Sequence, residues 1–585
     1  MGKKSTLFQS AKNFLLLFLS VILLSGTVFS GEIRVNNGNT EVRITANTYQ
    51  ALSFSASLST IQYRNVQTKL GPFNEIFVQG YGYSNTVGDP KLPVFHKLIE
   101  IPLNAGFSIQ ITQEKYKEYD LSSFGINDRI IPAQAPVSKN ITDPNQIPFV
   151  LNAITYQMNQ WLGSPIVMIT PVGILRSLNL AQLDISPVWY NPVTGKLRVY
   201  EQLDVTVLFT NADISSTIQL KRQTYSPYFS NLFAGVVNYK QMPDSLITNA
   251  PVTYVIISAP AFQTALQSFI AWKKKKGFNV IVGYTNNPAV GTTTTAIKNY
   301  LQGLYNNPPT GYQKPSFVLF VGDVGQIPAW TTNGHPSDLY YCDYTGDNIP
   351  EVFYGRFSAQ NVTQLQSYID KTLEYEQYTM PSDAFLGEVS MIAGADPNNG
   401  PLYGNGQINY GTNNYFNTTH ALISHTYLQP EPGGGNYTLN IHQNVSNGVA
   451  LSNYTAHGSE AGWADPSFLI SDIAPLQNDH KYCLMVGNCC KTSNFGTTCF
   501  AEEITRAAHK GALGYIGCSD YSYWDEDYWW ACGFKAVTTN PPYAPQHLGA
   551  YDVTFHDHGE SPSKWFVTMG QMVVGGQLAV QESSS

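Results

Sequence analysis

From residue 250 onward the sequence alternates short apolar runs with amphipathic stretches, and this alternation limits the fold more than any other feature. TYVIISAP (253–260), FNVIVGYT (278–285), SFVLFVGD (316–323), VSMIAGAD (389–396), GVALSNYTAHGS (448–459), YCLMVGNCC (482–490) and GALGYIGCSD (511–520) have the length of buried strands. Between them, AFQTALQSFIAW, TTAIKNYLQGLY, VTQLQSYIDKTLEYEQ and FAEEITRAAHK place apolar side chains at helical spacing. Strands apolar along their whole length, alternating with such helices, predict an α/β fold: a mostly parallel sheet with helices on both faces.

Residues 31 to about 222 read differently. TYQALSFSASL, FVQGYGY, HKLIEIPL, FSIQITQ and LRVYEQLDVTVLF are β-branched and aromatic, broken by Gly, Pro and Asn turns, so a β-rich unit precedes the α/β region. LKRQTYSPYF, with Lys221 and Arg222, lies between the two and reads as a processed linker or an ordinary surface loop.

The N-terminus has the three parts of a signal peptide: Lys3, Lys4 and Lys12, then NFLLLFLSVILLSG, then small residues Val28 and Ser30 before Gly31. The apolar run is shorter than the roughly 20 residues a membrane span needs. The expectation is a secreted protein, periplasmic in transit, with no membrane span once the signal is removed. The chain has 585 residues, 43% hydrophobic and 13% charged, which suits a large core, and a net charge of −8, which argues against nucleic acid as a partner. The one compact basic run, Lys273 to Lys276, precedes Gly277 and reads as an ordinary helix end. GGG at 433–435 lacks the Lys-Ser/Thr of a phosphate loop.

Ligands of open parallel sheets bind beyond the carboxyl ends of the strands. Three of these strands end in reactive side chains: Asp396, His457 and the pair Cys489–Cys490. A thiol, an imidazole and a carboxylate on one sheet edge suffice for thiol nucleophilic catalysis, with Gly458 leaving room for a backbone N–H to meet the substrate carbonyl. The plainer reading of each residue alone is a buried thiol or a satisfied histidine. A metal site is the other chemical reading, from His480, Cys483, Cys489, Cys490 and Cys499, but no C-x2-C pair is present, and His556, Asp557 and His558 lack a second ligand cluster. Six of the seven cysteines lie between 483 and 532, so no disulfide framework is implied. Side chains alternate along YCLMVGNCC, so Cys489 and Cys490 point opposite ways, one to a helix layer and one to the mouth; alternation does not say which.

NYTAHGSEAGWADPS (453–467) and VGNCCKTSNF (486–495) resemble the histidine and cysteine motifs of the gingipains, secreted cysteine peptidases with a caspase-like fold, and most closely their lysine-specific branch. The similarity extends through SDLYYCDYTGDNIPEVFYGRFSA, MIAGAD, CFAEEITRA and YSYWDEDYWW, and GDPKLPVFHKLIEIPLNAG is similar to the family's inhibitory prodomain. The resemblance implies Cys490 as nucleophile, His457 as general acid and base, Asp396 as the third member, and Gly458 and Cys490 as oxyanion-hole donors, with Cys489 structural. It places Asp527, in YWDED, at the base of the S1 pocket, with Trp524 as a wall and Thr455 and Asn488 as further polar residues. One carboxylate with neutral acceptors suits the three donors of an ammonium. The arginine-specific branch carries a pocket acid about a dozen positions beyond the third catalytic acid, and DPNNGPLYGNGQINYG has none after Asp396. Cleavage after Lys, with Arg second, is therefore expected.

The resulting expectation is a zymogen: signal peptide 1–30, β-rich inhibitory prodomain 31–240 cut near Lys221, Arg222 or Lys240, peptidase subdomain A at 241–375 and subdomain B at 376–585. The prodomain is expected to plug S1 with Lys115 or Lys117. Partners are protein or peptide substrates; catalysis needs no cofactor. The resemblance also implies structural calcium, with acids such as Asp343 and Asp347 as candidates. It also implies further C-terminal domains, so the chain reads as a short form or a fragment. The rival readings are the same fold with asparaginyl specificity and an inactive binding or adhesion protein.

Overall fold

In the computed structural model, residues 31–243, 250–431, 437–545, 548–555, 561 and 565–583 are described. The basic and apolar N-terminal segment, the GGG run, and His556, Asp557 and His558 lie outside them.

The N-terminal unit is β-rich, with strands β1 (Ala51–Ser57), β2 (Pro93–Glu100), β3 (Gly106–Asp120), β4 (Val167–Leu175), β5 (Leu178–Ile185) and β6 (Lys196–Thr210). β6 lies between β1 and β3, and β5 between β2 and β4, all antiparallel. Strict alternation drives the packing. Leu52, Phe54 and Ala56 of β1 are buried while the serines between them are not, and they join Val205, Val207, Ile99 and Leu183 in one core between the two sheets. Helix α1 (Ile214–Thr224) follows, its first turn capped by the Asp213 carboxylate, which accepts from Ser216 N–H.

The C-terminal region holds two parallel sheets. The first orders β8 (Asn279–Tyr284), β7 (Thr253–Ser258), β9 (Pro315–Val321) and β10 (Phe353–Phe357). Helices α2 (Gln267–Lys275), α3 (Thr294–Asn306) and α4 (Val362–Gln377) cover it. Val255, Ile257, Val318 and Phe320 face α3; Ile256, Leu319 and Val321 face α2 and α4. Lys273 and Lys276 end α2 before Gly277, at φ +94°, and both pair with Glu376 of α4.

The second sheet orders β12 (Ile423–Tyr427), β11 (Glu388–Ala393), β13 (Leu451–Thr455), β14 (Cys483–Asn488) and β15 (Ala512–Gly517), all parallel. Its flanking helices are α5 (Asn405–Asn414), α6 (Tyr437–Asn447), α7 (Phe500–Arg506), α8 (Trp524–Cys532) and α9 (Met569–Glu582). Cys483 and Met485 of β14 pack with α6 and α7, whereas Val486 packs with α5 and α8. Alternation along an apolar strand thus loads both faces, and each face takes its own helix layer.

A buried cluster clips the two sheets together. Arg506 of α7 donates to Glu502 (2.7 Å), to Asp323 beyond β9 (3.0 Å) and to Ser358 beyond β10. The N-terminal unit is anchored as firmly. Arg176, at the tip of the β4–β5 hairpin, is fully buried and donates to the carbonyls of Pro315 (2.6 Å), Glu351 (3.1 Å) and Lys314 (3.2 Å). Lys97 of β2 pairs with Glu582 of α9, beside one apolar cluster drawn from both regions, including Leu98, Phe229, Phe353 and Leu578.

Candidate active site

The parallel register aligns the strand ends. Thr455 pairs with Ala393 on one side and with Asn488 on the other, so the residues just beyond all three strands emerge at one edge. Asp396 follows β11, His457 follows β13, and Cys489 and Cys490 follow β14.

His457 Nε2 lies 2.9 Å from Asp396 Oδ2, which fixes the ring, and the imidazole edge stands at 90° to the Trp524 ring. Burial works against ionisation of Asp396, but the His457 contact and the N–H groups of Asn399 and Asn398 outweigh it and hold the carboxyl below its usual range. The cysteines diverge. Cys489 enters the helix-layer core with Cys483, Trp463 and Phe500, and burial pushes its thiol up to about 12. Cys490 turns the other way, its Sγ 3.5 Å from Ser522 N, with burial raising its thiol as well. Gly458 packs against this turn: a Cβ there would sit 2.8 Å from Cys489 Sγ and 3.1 Å from Cys490 O. All seven cysteines are free thiols.

A segment of the N-terminal unit occupies the site. Val137 O accepts from Trp524 N (3.1 Å), Ser138 pairs antiparallel with Tyr523, and Lys139 N donates to Ser522 O (2.8 Å). The Lys139 side chain is wholly buried. Its ammonium donates to Asp527 Oδ2 (2.7 Å), the Asn488 carbonyl (2.8 Å) and Thr455 Oγ1 (3.0 Å), and lies 4.7 Å from the Trp524 ring centre. Three donors meet three acceptors beside an aromatic wall, so the burial of this charge is fully compensated. The Lys139 carbonyl accepts from His457 Nδ1. The chain then turns away, Ile141 N donating to Ser138 O (3.1 Å).

The expectation of Lys115 or Lys117 as the plug is therefore corrected. Both lie on exposed β3 and pair with Glu201 of neighbouring β6, at 2.7 and 2.9 Å. Strand pairing in the first unit uses them, and a long irregular segment carries the inserted lysine. The sequence does contain a signal: Lys139 is the only basic residue between Arg129 and Arg176. The expected pocket residues Asp527, Trp524, Thr455 and Asn488 all surround the ammonium, with Asn488 reaching it through its backbone. Its side chain is held from below by Gln407, a residue the sequence did not single out.

Among the described residues one carboxylate group has metal-site geometry: Asp343, Asp347 and Glu351, with ligand atoms within 4.8 Å of one another. Burial, with the nearby Asp347 and Asp343 charges, pushes the Glu351 carboxyl up to about 7. An oxygen-only, under-neutralised set of this kind fits a hard cation such as calcium.

A Cys-His-Asp edge on a parallel sheet, sealed by a lysine from a β-rich N-terminal unit, defines the class of a latent thiol peptidase. The chain belongs to peptidase family C25, whose family model matches residues 247–584, and the C25 propeptide model matches residues 34–242. It is 33% identical to Lys-gingipain W83 of Porphyromonas gingivalis over 580 residues, 98% of this chain and 33% of that protein. It is 26% identical to gingipain R2 of the same organism over 495 residues, 84% of this chain and 65% of that protein. The chain thus spans about a third of the length of the Lys-gingipains it matches. A solved structure described as a protease shares 37% identity at a TM-score of 0.53, covering 58% of this chain and 73% of that one.

Proposed function

We propose that this chain is the latent form of a secreted cysteine endopeptidase that cuts after lysine. The observation that carries this reading is the Lys139 ammonium, buried and met by Asp527, Thr455 Oγ1 and the Asn488 carbonyl. A pocket that gives one acceptor to each ammonium proton suits a lysyl side chain better than the wider, planar guanidinium.

In the reaction, Cys490 Sγ passes its proton to His457 Nδ1 and attacks the carbonyl carbon of the lysyl residue. The C–S bond forms as the carbonyl becomes an oxyanion, held by the N–H groups of Gly458 and Cys490. His457, oriented by Asp396, protonates the departing amine from Nδ1 as the C–N bond breaks. Water, giving its proton to the same nitrogen, hydrolyses the thioester and restores the thiol. Lys139 occupies S1 without reacting because its carbonyl is engaged by His457 and the next residues turn out of the cleft. The prodomain is thus the chain's own inhibitor, and in the latent state burial keeps Cys490 protonated. Asp343, Asp347 and Glu351 would hold a structural calcium remote from these steps; catalysis itself uses no cofactor. Residues 1–30 would direct secretion, and among the described residues no helix is long and apolar enough to cross a membrane.

The test is cleavage by the processed protein of peptides with Lys, Arg, Asn or Asp before the scissile bond, with Cys490→Ala and Cys489→Ala beside wild type. Preferential cutting after Lys, abolished only by Cys490→Ala, is expected. Cutting after Asn, or none once the prodomain is gone, would overturn the reading.

A further inference from the structure

Directly beneath the ammonium-binding carbonyl lies a closed ring of hydrogen bonds. Gln407 Nε2 donates to Asn488 Oδ1 (2.9 Å) and to Tyr551 Oη (3.2 Å). Tyr551 Oη donates to Asn453 Oδ1 (3.0 Å), and Asn453 Nδ2 returns to Asn488 Oδ1 (3.5 Å). Asn453 and Tyr551 are wholly buried, and Gln407 and Asn488 are 1% and 6% exposed. The ring ties together four separate elements: α5 through Gln407, the middle of β13 through Asn453, the end of β14 through Asn488, and the segment before α9 through Tyr551. None of its members touches the Lys139 ammonium by a side chain; Asn488 alone does so, through its carbonyl.

We propose that Gln407, acting through this ring, is a positioning residue that fixes the floor of S1 and thereby sets lysine-over-arginine selectivity. The inference rests on the lysyl reading of the site. A guanidinium extends further than an ammonium and spreads five donors in a plane, so it fits only if the floor recedes. The Asn488 carbonyl is that floor. Its peptide is pinned because the Asn488 side chain accepts from two buried amides at once, and a buried acceptor stripped of a donor relaxes toward another partner. Removing the Gln407 amide frees the carbonyl to move, weakening the match to lysine and opening depth for arginine.

The test measures steady-state cleavage of matched Lys and Arg peptides by the processed protein, as wild type, Gln407→Leu and Tyr551→Phe. Competent sites are counted by alkylation with a lysyl active-site reagent. Gln407→Leu is expected to lower the Lys/Arg ratio of kcat/KM by about tenfold, the scale set by one mispaired buried polar group in a specificity pocket. The loss should fall on KM for the Lys peptide more than on kcat per competent site. Tyr551→Phe, which keeps the ring's packing, should shift the ratio in the same direction by less, and it carries the test if Gln407→Leu does not fold. A merely structural role would reduce the number of competent sites and leave the ratio unchanged. An unchanged ratio in both variants, with wild type preferring Lys, overturns the inference and leaves the lysyl reading standing. A wild type without lysine preference overturns both.

Discussion

Lys139 and Asp527 stand 388 positions apart in sequence and meet at 2.7 Å with side chains 0% and 10% exposed. Breaking such a pair by removing one partner costs about 3–5 kcal/mol, because the other charge stays buried. Asp527→Asn should therefore reduce kcat/KM of the processed enzyme on Lys peptides by roughly 10²–10⁴-fold, seen as a rise in KM in initial-rate assays. A similar rate would move Asp527 out of the pocket. Asp527 was legible in sequence because YWDED matched a motif, and the divergence of Cys489 from Cys490 followed from strand alternation. For Lys139 the sequence offers only its isolation as a basic residue between Arg129 and Arg176: an irregular segment has no period to read, and the contacts that bury it come from residues hundreds of positions away.

Helix α8 concentrates three acids, Asp525, Glu526 and Asp527, in its first turn, where the helix dipole favours negative charge. Burial and the neighbouring charges of Asp527 and Asp525 nonetheless push the Glu526 carboxyl up to about 7 from its ordinary 4.5. The folded chain therefore holds this proton more tightly than the unfolded chain does. That stabilisation is fully present below about pH 4.5 and is lost as pH rises through about 7. Melting curves of the latent chain from pH 4.5 to 8 should fall more steeply for wild type than for Glu526→Gln; parallel curves would contradict the shift. Helix α7 is a second test at this scale. Arg506→Met leaves Glu502 and Asp323 buried without their cation and should destabilise the fold by about 3–5 kcal/mol in denaturant unfolding. Seven of the nine strands of the two sheets, with α2, α3, α4 and α7, could be read from periodicity; the edge strands β10 and β12 and helices α5, α6, α8 and α9 could not. The Arg506 clip could not, because an Arg near a helix end looks like an ordinary dipole partner until the second sheet is in place.

At the scale of the whole molecule, the N-terminal unit grips the peptidase region at S1 through Lys139, at the start of β9 through Arg176 and at α9 through Lys97, among other contacts. Arg176→Met removes the guanidinium donors from four backbone carbonyls, those of Thr224, Pro315, Glu351 and Lys314, each worth about 1–3 kcal/mol. Once the linker is cut, the variant prodomain should separate on size exclusion where wild type co-elutes; co-elution of both would show that the hairpin anchor contributes little. The β-rich character of this unit was plain in sequence, but its attachment points were not, since each is one polar residue whose partners lie in the other region. Lys221, a candidate processing residue, is itself buried against Glu100 at 2.7 Å and donates to the Lys240 carbonyl at 2.6 Å, so cutting beside either requires that segment to open first.

Whether Lys139 holds the chain latent is decided by the initial rate of Lys-peptide hydrolysis by the uncut full chain, with intactness checked by mass. Wild type, Lys139→Ala and the double variant Lys115→Ala/Lys117→Ala would be compared. Activity appearing in uncut Lys139→Ala, at least 100-fold above wild type, with the double variant as silent as wild type, is the predicted result. Equal latency in all three would contradict it.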